Sequence, residues 1–79
     1  MEKVIKVIPM DDYILVLNFD TGEWKRFDVK PYLEMGVFKQ LKDISKFKQA
    51  YVDYGTVVWP GEIDIAPETL YDLSVDHHQ

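Results

Sequence analysis

The sequence predicts an α+β fold: a three-stranded β-meander, a helical segment, a β-hairpin and a short C-terminal helix, built on a mainly antiparallel sheet. Three observations predict it. Short β-branched and aromatic runs are separated by tight-turn signals at Asp20-Thr21-Gly22 and Tyr54-Gly55. The middle of the chain trades that alternation for a spacing of four at Leu33, Val37 and Leu41. A proline-led segment then begins at Pro67. Runs of strands interrupted by helices place helices against an antiparallel sheet.

Val4 to Ile8 is β-branched and reads as the first strand. Pro9-Met10-Asp11-Asp12 is a turn: proline stops pairing, and the two aspartates can bond backbone amides. Tyr13 to Phe19 is apolar on both faces, as a central strand covered on two sides should be. Gly22 can take positive φ in the hairpin that follows. Glu23 to Asp28 returns, with Trp24 and Phe27 on opposite faces because side chains alternate. Asp28 can cap a helix through Pro31-Tyr32-Leu33-Glu34-Met35 that Gly36 ends, and Val37 to Leu41 gives one more turn. Leu33, Val37 and Leu41 would then share a buried stripe, leaving Lys39, Lys42 and Lys46 in water. Phe47 to Tyr54 and Thr56 to Trp59 read as a strand pair, and Pro60-Gly61 as the break that ends the sheet. Ile63-Asp64-Ile65-Ala66 is an extended approach to a final helix over Pro67 to Asp72. Residues 1–73 form one domain on this reading, and 74–79 a loose tail.

Composition narrows the function classes. The chain has 79 residues, 47% of them hydrophobic, which excludes a disordered polymer and allows one small domain. There is no cysteine, so thiolate zinc sites, disulfides and cysteine nucleophiles are excluded. The longest apolar run, Tyr13 to Leu17, is far short of the ~20 residues that span a bilayer. The stretch after Met1-Glu2-Lys3 is interrupted by Lys6 and too short for a secretory leader. The expectation is a cytoplasmic protein away from membranes. Charge is unevenly spread. Residues 1–48 hold all nine bases and eight acids, net +1; residues 49–79 hold Asp53, Glu62, Asp64, Glu68, Asp72 and Asp76 with no base, net −6. Such a third repels phosphates and attracts a basic partner; a solvated surface that keeps the domain soluble is the plainer account.

The segment Trp59-Pro60-Gly61, Asp64-Ile65 and Pro67-Glu68-Thr69-Leu70-Tyr71 resembles a bacterial family known only as domain of unknown function 2442. The early Val-rich strand, Tyr13 to Phe19, Gly22, Phe27-Asp28, Phe38 and Leu41 agree with it, so the resemblance covers nearly the whole chain. One departure stands out. The family usually places Asn between Trp-Pro and a following Gly, whereas here Gly61 comes at once and Glu62 occupies the usual glycine position. The resemblance implies no known enzymatic activity. It implies the antitoxin-like or accessory member of a two-gene module, acting by binding a protein.

Several residue groups invite chemistry. Asp64, Glu68 and Asp72 recur every four residues and would line one face of a helix that began early, like a Mg²⁺ or Ca²⁺ site. Ala66-Pro67 starts the helix after Asp64, and the helix dipole alone favours acids near an N-terminus, so no metal is expected. His77 and His78 are adjacent, diverge in direction and lie in the expected tail, so neither is a fixed general base. Ser45 and Ser74 read as turn or cap residues, and four scattered glycines make no phosphate loop. Trp59, just before a sheet-breaking turn, reads as a core anchor; Trp24 is core or contact. Lys39, Lys42, Lys46 and Lys48 lie near Phe38 and Phe47, a pattern that can hold single strands, but the overall acidity opposes direct nucleic-acid binding.

The expected function is therefore binding, with no catalysis and no cofactor. A small basic protein encoded nearby would meet Asp64, Glu68 and Asp72, with Tyr71 or an exposed aromatic as the anchor. An uncovered sheet edge would also allow pairing with a second copy, as a homodimer, or with a strand of the partner. One alternative is a small-molecule or metal-binding domain with a weak enzymatic role, which would show a concave pocket with convergent polar groups. The other is a DNA-associated regulator, which would need a companion domain to supply positive charge.

Overall fold

A computed structural model describes residues Met1–His77. Its strands form two antiparallel sheets. The first contains β1 (Val4–Pro9), β2 (Ile14–Phe19), β3 (Trp24–Asp28) and, at its far edge, a two-residue strand from the C-terminus. The second contains β4 (Tyr51–Asp53), β5 (Thr56–Trp59) and β6 (Ile63–Ile65). Between them in sequence lie two 3-10 helices, Lys30–Tyr32 and Gly36–Lys42, and a one-turn helix α1 (Ile44–Phe47). Helix α2 (Pro67–Leu73) and strand β7 (Val75–Asp76) close the chain.

β2 is central in the first sheet, as its apolar run requires. Leu15, Leu17 and Phe19 are wholly buried on the face that looks inward, and Val16 is 6% exposed on the other. Phe27 stands opposite Leu15 and is buried, whereas Trp24 stands opposite Asn18 on the outer face, half-exposed. The edge strand β1 carries a bulge at Ile5 and ends in Pro9, which has no N–H to offer a further strand.

The helical middle differs from the expectation in a way that follows from its pitch. Gly36 begins a 3-10 helix instead of ending an α-helix. At three residues per turn, positions i and i+3 align and positions four apart do not. Leu41 is therefore buried and Phe38 packs against the core with it, while Val37 is 53% exposed and Leu33 only half-buried. The stripe Leu33–Val37–Leu41 does not form. Asp28 does accept a bond from the amide of Lys30 (2.9 Å) where the first 3-10 turn begins.

Phe47 ends α1 instead of opening β4. The side chain of Asp43 accepts bonds from the backbone N–H and the hydroxyl of Ser45 (3.0 and 2.7 Å), which starts a helical turn there. Those two bonds, the hydroxyl's the stronger, hold the Asp43 carboxyl below its usual range. The turn carries Phe47 inward, where it meets Tyr13 edge-on at 5.2 Å and Trp59 at 6.1 Å. Tyr13 adopts φ 64° and donates its hydroxyl to the carbonyl of Lys42.

β4 and β5 are joined by Tyr54-Gly55, both with positive φ (51° and 74°), as a two-residue hairpin loop demands. Pro60-Gly61 reverses the chain instead of breaking the sheet. Trp59 pairs with Ile63, so the expected extended approach is a third paired strand. Helix α2 starts at Pro67, as predicted, and Ala66 stands at its N-cap without a side-chain cap bond. The expected tail contributes β7: Val75 and Asp76 pair with Arg26 and Lys25, and the amide of His77 donates to the carbonyl of Trp24 (2.9 Å). His78, singled out in the sequence, lies outside the described residues.

One apolar cluster joins both sheets and α2: Leu15, Leu17, Phe19 and Phe27 face Val57, Trp59, Ile63, Ile65 and Leu70. Trp59 is 1% exposed, and its indole N–H donates to the buried carbonyl of Phe47 at 2.8 Å. The same carbonyl also accepts from the Ala50 amide at 3.3 Å, so Trp59→Phe should cost about 0.5–1.5 kcal/mol for the lost bond, besides the change in packing. Trp59→Ala should cost about 3–5 kcal/mol. Urea unfolding followed by circular dichroism reads both. Glu62 sits at φ 63°, a backbone conformation that suits glycine, and it fills the position where the sequence departs from the family pattern. Glu62→Gly should stabilise the fold by about 1 kcal/mol, read as a rise in melting temperature.

Candidate functional site

The face that remains after the core is accounted for is acidic. In the second sheet, alternate residues Val57, Trp59, Ile63 and Ile65 turn inward. Their neighbours turn outward, and opposed residues of paired strands share a face. Tyr51, Val58 and Asp64 thus form one cross-strand row, with Asp53 opposite Thr56 beside it. Tyr51 is 45% exposed, and Asp53 and Asp64 are exposed. Thr56 turns its hydroxyl to the carbonyl of Ile65 and so ties β5 to β6 under this row.

Directly after β6, α2 buries Leu70 and exposes Glu68, Asp72 and Leu73. The dipole account covers only Glu68, which lies in the first turn. Asp64 belongs to a strand, and Asp72 lies in the last turn, where no basic residue offsets the negative helix end. Asp64, Glu68 and Asp72 therefore do not share a helix face. Among the described residues no three His, Asp or Glu side chains converge as a metal site.

The ion pairs sharpen the asymmetry. Lys30 pairs with Asp28 at 3.1 Å, Lys42 with Glu34 at 2.6 Å, and Lys48 with Asp11. All three use acids from the first 48 residues. Asp76 stands opposite Lys25 in the β3–β7 register. Among the described residues, Asp53, Glu62, Asp64, Glu68 and Asp72 take part in no ion pair.

Tyr71, the expected anchor, is half-buried and engaged within the chain. Its ring meets Phe19 edge-on at 5.1 Å, and Lys25 Nζ lies 4.2 Å from the ring centre. Its hydroxyl donates to Glu23 Oε1 at 2.7 Å, an oxygen that also accepts from Thr21. The bond to Glu23 is the largest cause that pushes the Tyr71 hydroxyl up to about 12. The same bond, with the one from Thr21, holds the Glu23 carboxyl below its usual value. The exposed aromatics are instead Tyr51 and Tyr54, the latter 95% exposed at the hairpin tip. Neither was named in the sequence as a contact residue, Tyr54 being marked only as a hairpin signal, although the alternation that places Tyr51 beside Asp53 was available there.

The Trp-to-Tyr motif thus divides by role. Trp59 and Leu70 are buried scaffold, Pro60 shapes a turn, Pro67 starts α2, and Asp64 and Glu68 are exposed carboxylates. This is a small α+β domain whose motif binds two sheets and a helix together while leaving acids on the outside. Residues 4–76 match the family described as "Protein of unknown function (DUF2442)", and the chain belongs to that family. Neither the curated proteins nor the solved structures gave a match. No helix among the described residues is long and apolar enough to cross a membrane.

The Glu23–Tyr71 bond makes a pH prediction. Glu23 is lowered in the folded state, so its contribution is full above its ordinary 4.5 and is lost as pH falls through the lower folded value. Tyr71 is raised, so its contribution is full below its ordinary 10 and is lost as pH climbs toward about 12. Tyr71→Phe should lower the melting temperature at neutral pH, and the gap to the wild type should close at both extremes. Melting curves across pH check this; a gap independent of pH would exclude the bond as its source.

Proposed function

We propose that this domain acts by binding a protein: it is the antitoxin-like or accessory member of a two-protein module and performs no reaction of its own. The partner is a small protein with a basic face, encoded nearby, and the pair meets in the cytoplasm. The observation that carries this reading is the set of five exposed carboxylates without an ion-pair partner, gathered in the segment from Asp53 to Asp72. Asp72 adds weight, because an acid in the last helical turn works against the helix end it sits on. The row Tyr51–Val58–Asp64 supplies an apolar and aromatic centre that carboxylates flank, the arrangement expected of an interface with a desolvated middle and a polar rim. Complementary charge would speed encounter and fix orientation, and the aromatic centre would hold the complex.

Co-expression with the product of the adjacent gene tests this. One co-eluting complex is expected, weakened by added salt because exposed charges are screened. Two independent elution peaks would overturn the proposal. Asp72→Lys separates function from folding. It should stabilise the isolated domain by about 0.3–1 kcal/mol, because a cation suits the helix C-terminus. The same change should weaken the complex, read by calorimetric titration.

A further inference from the structure

A cavity of about 270 Å³ opens where the 3-10 helix and α1 meet the β5–β6 turn. Leu41, Trp59, Pro60 and Ile63 give it an apolar lining, and Gln40, Lys46 and Gln49 complete its wall. The one ionisable side chain of its lining is a cation, although Glu62 of the acidic segment lies in the same turn, between Gly61 and Ile63. Trp59 contributes only carbon surface, because its N–H is committed to Phe47. Lys46 is exposed and belongs to none of the three ion pairs among the described residues. The neighbouring acid, Asp43, accepts from the amide and hydroxyl of Ser45 and also feels the Lys46 charge, though the two side chains form no ion pair. Gln49 makes one long bond, from Nε2 to the carbonyl of Ser45 at 3.4 Å, which leaves its side-chain oxygen and second N–H free to turn to a ligand. Gln40 Oε1 lies 3.9 Å from where a Cβ on Gly61 would be, so this amide reaches across to the turn.

We propose that this cavity binds a small carboxylate carried on a flat apolar body, such as an arylacetate. An ammonium and two amides are the donors that a carboxylate requires, and hydrogen bonds to a charged group are the stronger ones. The indole and the proline ring give a flat apolar body its surface. The volume lies just below the ~300–1,000 Å³ of drug-sized pockets, which sets the ligand at one ring and a short acid arm. The inference goes beyond the partner-binding reading and is independent of it. It also gives the Trp59-Pro60-Gly61 turn a role that the acidic face does not use.

The test is titration of the intact protein with phenylacetate and, separately, with neutral phenylacetamide, followed by ¹H–¹⁵N NMR. Phenylacetate should shift the side-chain amides of Gln40 and Gln49 and the Trp59 indole N–H along one saturating curve. Phenylacetamide, or phenylacetate with Lys46→Ala, should bind weaker by a factor of about ten, the loss expected for one charge-assisted contact. Lys46 is exposed, so Lys46→Ala should keep the wild-type melting temperature. Absence of saturable shifts would overturn the proposal, as would equal binding of acid and amide or binding indifferent to Lys46.

Discussion

The bond from the Trp59 indole to the Phe47 carbonyl fixes α1 against the second sheet, beside a core that joins both sheets and a backbone bond from Val4 to Gly55 (2.8 Å) that links their edges. α1 has four residues, too few to persist as an isolated helix. Its place is set by Phe47, held between Tyr13 and Trp59. Tyr13 in turn comes from the turn before β2, held at positive φ by packing and by its hydroxyl bond to Lys42. One indole therefore ties the second sheet to α1, and through Phe47 to the first sheet. A chain of 79 residues buries only about 60–65% of its unfolded surface, so each buried contact of this kind is a sizeable share of its stability.

That economy shapes the outside as well. The apolar side chains of β5, β6 and α2 are largely spent on the core, so their remaining positions are polar and, in this third of the chain, acidic. In the first 48 residues acids and bases interleave, and three pairs close. In the last third no base is present to close any. The result is a molecule with a self-compensated half and an uncompensated one, and the uncompensated one is where a basic surface would be attracted.

The family motif is better understood as two interleaved jobs than as one site. Trp59, Leu70 and Pro67 set the packing and direction of β5 and α2. Asp64 and Glu68 ride on those elements and face water. Glu62 lies between, in a left-handed conformation that glycine would adopt without strain. The motif spacing survives the missing glycine because the turn keeps its three residues between Trp59 and Ile63.

Much of the fold was legible in the residues themselves, wherever one local signal decided. Alternation marked β2, Gly22 and Tyr54-Gly55 marked the hairpins, Pro67 marked the start of α2, and the absence of bases marked the acidic third. Trp59 as a core anchor was legible for the same reason. The sequence did not decide what depends on a distant neighbour. Whether Ile63–Ile65 and Val75–Asp76 are strands depends on the backbones of β5 and β3 lying beside them. Whether the middle winds with three or 3.6 residues per turn depends on which of Val37 and Phe38 finds a partner, and Tyr32 supplies one for Phe38. Tyr71 looked like an outward anchor until Glu23, 48 residues away, took its hydroxyl. Local pattern is set by a residue's own stereochemistry and near neighbours. Pairing, burial and the partner of a polar atom are set by what the folded chain brings alongside, and that information is not carried by spacing alone.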